Sequence, residues 1–573
     1  MKKILYAIIA MLPLVASCDG MLDEINYGNP TTTEMMATED NITLVVGQAY
    51  ADLKWIHDHW GYWGVASLTS DECLNPVRMP GSHWKDGGYW KSLNTHTWNA
   101  FGEALRNIWN TTISGAVLCN KLMYTLNVYK DNMSEELYLQ YVAELEVLRT
   151  YYYYLLFDCF GRIPYLEDFN TSTEPLMEPQ EVWARLVACL ERTAPNLPKI
   201  SDANRAQYYG RVTKGFAYGL LARLYLNATS FGCDPSKFGT GQGQIALPEG
   251  VVIANENDFY KNAIRCCDVI INDRSYVIED NFFSNFKIKN ENSRENMFVL
   301  VEEGSDNVDV RYSGSMMNKL RLISLSLHYQ HQQSWNLIQK PWNGFCARPN
   351  FLKLYASTDV RGAGNEGKGT QNTKQWGWFV GPVTDANGKT LLDENKEPVV
   401  ITAEVTSLDE ATWNDGARMI KYEIDKSATY SYCENDFVLF RYADVLWMRE
   451  EAAIRCGESR ISSTLAKGDF DKLIKRSFAY DSDPEAAFKA AYGDVETWGV
   501  ADLEKILDER GREFAWELVR RRDLIRFGKY HDIQYVSVKN QPHRNWFPIP
   551  YSVLEKGVED ENGNKIWTQT PGY

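Results

Sequence analysis

Between residues 135 and 160, Leu145, Leu148, Tyr152, Leu155 and Cys159 recur at alternating steps of three and four, the spacing that lines one face of an α-helix. Less regular versions of the pattern predict helices over 41–58, where Leu44, Gln48 and Tyr50 lead to Leu53 and Ile56, and over 101–128, 178–194, 211–230, 258–272, 437–457, 484–492 and 500–527. These fall in pairs with short connections, as in helix–turn–helix arrays, but no strict consensus repeats. Long loops cover 60–98, 232–257 and 305–436. Region 275–436 changes character, with glycine-rich "GAGNEGKG" and the hairpin chemistry of "DANGKTLLDENKEPVV", where Asn387-Gly388 predicts a type I′ turn. The pattern gives a mainly α chain: a helical array over 41–275, a variable loop and strand region over 276–436, and C-terminal helices over 437–573.

One stretch fits neither period. "GSHWKDGGYWKSLNTHTW", residues 81–98, holds Trp84, Trp90 and Trp98 in a polar loop punctuated by Gly87-Gly88. Trp109, at a regular helical position, reads as core. Large rings without apolar periodicity suit a sugar: an aromatic face covers the C–H side of a pyranose while polar neighbours bond its hydroxyl rim. Asp71, Arg78, Asn94 and Asn99 are close enough in sequence to supply that rim. The competing role is a plug between loop and helices.

Composition narrows the field. The chain has 573 residues, 44% hydrophobic, with a net charge of -16, which argues against nucleic acid and broad adsorption to anionic lipid. Lys2 and Lys3 followed by "ILYAIIAMLPLVAS" form a secretory signal. Leu14 to Cys18 resembles a bacterial lipobox, which makes residues 1–17 a signal peptide, Cys18 a lipidated N-terminus and 18–40 a tether. No later segment is long and apolar enough to span a bilayer. Ten cysteines remain; Cys119, Cys159, Cys189 and Cys456 lie in helical patterns and Cys266-Cys267 are adjacent, so mostly buried thiols are expected.

Catalytic signatures are sparse. "GAGNEGK", 362–368, meets part of a phosphate-loop pattern but lacks the Ser or Thr and the strand–loop–helix context. His328 and His331 are three apart rather than four and have no evident third ligand. There is no G-x-S-x-G. Asp71, Glu72 and Asp86 are carboxylates from which a glycosidase pair could be drawn, although solvated loop acids are far commoner. No cofactor is called for; acidic loops such as 302–309 could hold a structural calcium.

Several motifs, in order, resemble the SusD/RagB family of outer-membrane nutrient-binding lipoproteins. They are "SCDGMLDE" after the lipobox; Trp109 to Asn120, similar to the family's "W-x3-Y-x2-I-x2-A-N" helix; "LRTYYYYLLFDCFGRIPY", 148–165; "ARMIKYEID…NDFVLFRYADVLWMREEAAIRCG", 417–457; "ERGREFAWELVRRRDLIRFGK", 509–529; "FPIP"; and the closing "TQTPGY". Most of this is structural. Glu517 and Arg521 stand at i,i+4, Gly528 suits a C-cap, Phe514 and Leu518 face the core, and Arg441, Asp444 and Glu451 tie helices together.

The resemblance implies a right-handed, tetratricopeptide-like helical superhelix, no catalysis, anchorage in the outer membrane at the cell surface, and a SusC-like TonB-dependent transporter as partner. It places the glycan at Asp71, Arg78, Trp98 and Asn99, with Trp84 and Trp90 beside them; "SHWKDGGYW…THTW" resembles a stretch of glycan-binding members, with His83 replacing an Asp. A second loop set adds Tyr329 and Trp335, with Trp342 near by. The alternatives are a peptide ligand on the same scaffold, as in the RagB branch, and a glycoside hydrolase.

Overall fold

The computed structural model describes residues 31–170, 174–302, 325–362, 377–427, 434–539, 541–557, 559 and 562–573. Cys18 and the lipobox, most of the phosphate-loop-like stretch and nearly all of 302–309 lie outside the described residues.

The principal helices are α1 (Glu39–Gly47), α2 (Tyr62–Leu68), α3 (Tyr89–Asn94), α4 (Glu103–Val128), α5 (Glu135–Phe160), α6 (Pro179–Thr193), α7 (Lys214–Leu226), α8 (Glu256–Asp273), α9 (Tyr442–Cys456), α10 (Pro484–Tyr492), α11 (Leu503–Phe514) and α12 (Arg520–Arg526). Consecutive helices α4 and α5, α5 and α6, and α7 and α8 pack as neighbours, and α9 closes on α8. Helix α5 begins where the Ser134 hydroxyl accepts the Leu137 N–H, and it stops at Gly161, whose φ of 68° suits glycine. Gly115 lets α4 approach α5 closely: a Cβ there would lie 2.4 Å from the Tyr152 ring. Trp109 is buried, as its helical position predicts, and so are the thiols of Cys119, Cys159, Cys189, Cys266 and Cys267.

Three expected helices differ. Residues 41–58 divide into α1, a 3-10 turn at Gln48–Tyr50 and a separate short helix at Leu53–Ile56. Residues 437–457 divide into strand β6 (Phe437–Arg441), all buried, and α9. The strand pairs antiparallel with β1 (Asn296–Leu300), so "FVLFR", rich in residues that suit a pleated surface, leaves the helical pattern. Residues 500–527 break between α11 and α12, with Trp516 and Leu518 at φ of 63° and 72°. The Glu517 carboxylate accepts from Arg441 and Lys421 instead of pairing with Arg521, which binds Asp158. The expected i,i+4 pair is therefore replaced by a buried network. The helix ties at Arg441, Asp444 and Glu451 are present, through Glu295 and Glu513, Arg223 and Arg510, and Arg526.

The variable region carries β2 (Gly377–Phe379) paired with β5 (Arg418–Ile420), and β3 (Gly381–Pro382) paired with β4 (Val400–Ile401). Between β3 and β4 the chain makes two similar tight turns. In the first, the Asp385 carboxylate accepts the N–H groups of Asn387 and Lys389, and only Gly388 has positive φ. That is a type I turn with a glycine bulge rather than the predicted type I′ turn, which needs positive φ at both central residues. In the second turn, Asp393 accepts from Asn395 and Glu397. Gln330 donates to the Leu392 carbonyl and Ser334 to that of Thr384, which fixes this meander against residues 329–335.

Candidate functional site

Beside the second turn lies an open cleft of about 640 Å³, lined by Pro80, His83, Tyr329, Lys340, Pro341, Trp342, Asp393, Glu394, Asn395 and Trp413. Its aromatic rings are half-buried. Trp413 meets Tyr329 edge to face at 5.7 Å between centroids, and lies 5.4 Å from His83. The Lys340 ammonium stands 4.6 Å from the centre of the Tyr329 ring. Apolar ring faces and a few hydrogen-bonding groups thus share one depression, an arrangement suited to small, hydroxyl-rich ligands.

The cleft is assembled by two buried arginines. Arg78 donates to the carbonyls of Thr412, Asp415 and Gly344, at 2.9 Å each, and so joins its own loop to the segments bearing Trp342 and Trp413. Arg418 donates to the Trp413 and Gly416 carbonyls and to the Asn343 side chain, which itself donates to the Trp413 carbonyl. Burial pulls both guanidinium pKa values below their ordinary range. The Asp415 carboxylate is occupied by Thr406 and Thr412. Planar forks with several donors can hold three loops together where a lysine could not.

Of the residues expected from sequence, Tyr329 lines the cleft, as does Trp342. Arg78 acts behind the cleft wall, not on it. Trp84, Trp90 and Trp98 are 8%, 1% and 3% exposed. Trp84 donates to the Trp342 carbonyl at 3.0 Å and packs against Trp90, Trp342 and Phe345, so it buttresses the wall from within. Trp90 packs between Trp60 and His59. Trp98 donates to the Tyr573 hydroxyl at 2.8 Å and lies 4.9 Å from Phe547, joining its loop to the C-terminus. Asp71 receives both arms of Arg520 at 2.7 Å. Asn99 is exposed and its side chain accepts the Phe101 N–H. Trp335 is 3% exposed and packs on His331. In this structure Trp90, Trp98 and Trp335 thus serve packing rather than presenting a ring face to solvent. We expect Trp98→Ala to cost about 3–5 kcal/mol of stability while molecules that remain folded keep the cleft intact; chemical denaturation read beside a ligand titration checks this.

The remaining chemical candidates have structural roles. The His331 and His328 rings accept backbone N–H groups of His328 and Gln330, capping a turn. Burial, with His331 and Arg418 near by, lowers the His328 pKa and keeps that ring neutral. Among the described residues no group of three or more His, Cys, Asp or Glu could hold a metal ion. Asp86 accepts from the Trp90 indole. Glu72 accepts the Trp516 N–H at 2.9 Å, and burial raises its pKa to about 8. A carboxyl raised in this way favours the folded state while it is protonated, and the benefit fades as pH climbs from the unfolded value near 4.5 through about 8. Glu72→Gln should therefore raise the melting temperature more at pH 8 than at pH 5. Equal shifts at both values would contradict this assignment.

Trp413, His83, Asp393 and Glu394 were not among the expected site residues. Trp413 had the same signature as the loop tryptophans: "ATWNDG" is polar, glycine-punctuated and free of apolar periodicity.

Two family models match the chain in succession. One, described as "Starch-binding associating with outer membrane", covers residues 67–226. The other, described as the SusD family, covers residues 323–573. The cleft draws its walls from both. Starch-binding protein SusD of Bacteroides thetaiotaomicron is 22% identical over 469 residues, which cover 77% of this chain and 74% of that protein. Among solved structures, surface glycan-binding protein A from Bacteroides fluxus is similar with a TM-score of 0.66 and 20% identity, over 94% of this chain and 100% of that one. Surface glycan-binding protein A from Bacteroides thetaiotaomicron, in complex with laminarihexaose, gives a TM-score of 0.62 at 18% identity, over 93% of this chain and 99% of that one. With two SusD-type models matching consecutive parts of the sequence and the same fold along nearly its whole length, the chain belongs to the SusD/RagB family.

Proposed function

We propose that this chain is a non-catalytic glycan-binding lipoprotein of the outer-membrane surface, and that its oligosaccharide lies in the cleft between Tyr329, Trp342 and Trp413. The observation that carries this reading is the meeting of three partly exposed aromatic rings with Asn395, Asp393, Glu394, Lys340 and His83 in one depression. Stacking on ring faces supplies the apolar part of sugar recognition, and the polar groups fix the hydroxyls. The relatives named above as starch- or glycan-binding proteins support a glycan over a peptide. Incubating the mature chain with a glycan panel, and following both retention and product release, tests the reading. Retention without cleavage is expected; cleavage, or retention of peptides alone, contradicts it.

The sequence features before residue 31 complete the proposal. Cys18 carries the lipid, and the tethered body hands its ligand to a SusC-like TonB-dependent transporter. Cys18→Ala should release the protein from the membrane and abolish incorporation of labelled fatty acid; label retained by the variant would refute the anchor. Recovery of the transporter with the chain after mild detergent extraction is the corresponding test of the partnership.

A further inference from the structure

The cleft carries charge as well as rings. Asp393 and Glu394 stand side by side on its wall, and among the described residues neither forms an ion pair. Asp393 is held in place because one of its carboxylate oxygens closes the turn through the N–H groups of Asn395, at 2.8 Å, and Glu397, at 2.9 Å. Glu394, at the next position, is exposed. Both act on the Tyr329 phenol: burial raises its pKa first, and the Glu394 and Asp393 charges raise it further. Lys340 stands over the face of Tyr329, 4.6 Å from its centre, and is the one ammonium beside the two carboxylates among the described residues of the lining. The rim that a sugar stacked on Trp413 or Trp342 would meet beside Tyr329 is therefore anionic, and it sits on a turn too tightly hydrogen-bonded to swing away.

We propose that Asp393 and Glu394 are specificity determinants of the glycan site. Hydroxyl and amino groups on a bound sugar can donate to these carboxylates, whereas a uronate or sulfate group set there meets like charge in a partly desolvated cleft. The ligand class taken here is a neutral or amino-bearing glycan, and acidic polysaccharides are excluded. This rests on the reading of the cleft as the glycan site.

Two features of the wall make the test clean. Glu394 has no hydrogen bond or ion pair to lose among the described residues, so its replacement should leave the fold unchanged. Lys340 is on a separate segment and stays in place. Affinity electrophoresis of the mature chain through starch, laminarin and arabinoxylan, and through polygalacturonate and hyaluronate, reads both classes in one format. The wild type should be retarded by at least one neutral polysaccharide and pass the acidic ones freely. Glu394→Lys should become retarded by polygalacturonate, with the ratio of acidic to neutral affinity rising at least about tenfold at low salt and less at high salt. Glu394→Gln should lie between the two. Retardation of the wild type by acidic and neutral polysaccharides alike, lost in both cases with Trp413→Ala, would overturn the charge selection while leaving the site in place. Retardation that Trp413→Ala and Trp342→Ala leave untouched would overturn the site itself.

Discussion

Glu513→Ala should unfold most of the protein at physiological temperature. The Glu513 carboxylate is wholly buried and accepts from three arginines: Arg441 at 2.9 Å, Arg476 at 2.6 Å and Arg361 at 3.0 Å. Burial alone would raise its pKa, but Arg476, Arg441 and Arg361 together outweigh that and hold it far below the usual carboxylate range. These arginines come from β6, from the segment before α10 and from the variable region, so one side chain ties α11 to three distant parts of the chain. Removing one partner of a buried ion pair costs about 3–5 kcal/mol, and here three guanidinium groups lose an acceptor at once. Domain stabilities are typically about 5–15 kcal/mol. Urea unfolding should show the loss, with Glu485→Gln, at an exposed surface pair, as the near-neutral control. The depressed pKa stabilises the fold fully above the unfolded carboxylate range, and the benefit fades as pH falls toward the folded value, so the wild-type advantage should disappear on strong acidification. A variant within about 1 kcal/mol of the wild type would mean that the network is solvated.

Trp413→Ala should have the converse profile. Its ring lines the cleft beside Tyr329 and His83, while its backbone carbonyl is held by Arg418 and Asn343, both at 2.9 Å. Truncation therefore removes the stacking face and leaves the loop pinned. A binding hot spot of this kind typically costs about 2 kcal/mol or more, equivalent to roughly 30-fold in affinity. Calorimetric titration with an oligosaccharide retained in the panel should show that loss with an almost unchanged melting curve. Arg78→Ala, by contrast, should weaken binding and lower the melting temperature together, because it releases three segments at once.

The helices with strong periodicity were legible from sequence almost to the residue: 135–160 is Glu135–Phe160. The break before α12 was not, because its cause is tertiary. Glu517 and Trp516 leave the helix for Arg441, Lys421 and Glu72, none of them close in sequence. In the tryptophan loop, the missing helical period marked irregular backbone at Trp84 and Trp98 but missed the short helices α2 and α3, the second of which carries Trp90, and irregular backbone did not mean exposed rings. Trp60, Trp84 and Phe345 pack ring against ring with Trp90 of the short helix α3, and these contacts between separate segments need no shared helix or strand period. Arg78 shows the same limit for polar residues. Its sequence position suited a sugar contact, and only the fold shows its donors turned inward to backbone carbonyls. Tyr329, which entered through the resemblance of its loop, lines the cleft, whereas Trp413 stands alone in its own loop and reaches the same cleft through the two buried arginines.

The most direct measurement is a crystal structure of the mature chain soaked with the tightest-binding oligosaccharide from the panel. Sugar density is expected stacked on Trp413 or Trp342, with hydroxyl groups within hydrogen-bond distance of Asp393, Glu394 or Asn395, and with Trp98 still donating to Tyr573. Density over an opened Trp98, with the cleft between Tyr329 and Trp413 empty, would contradict it.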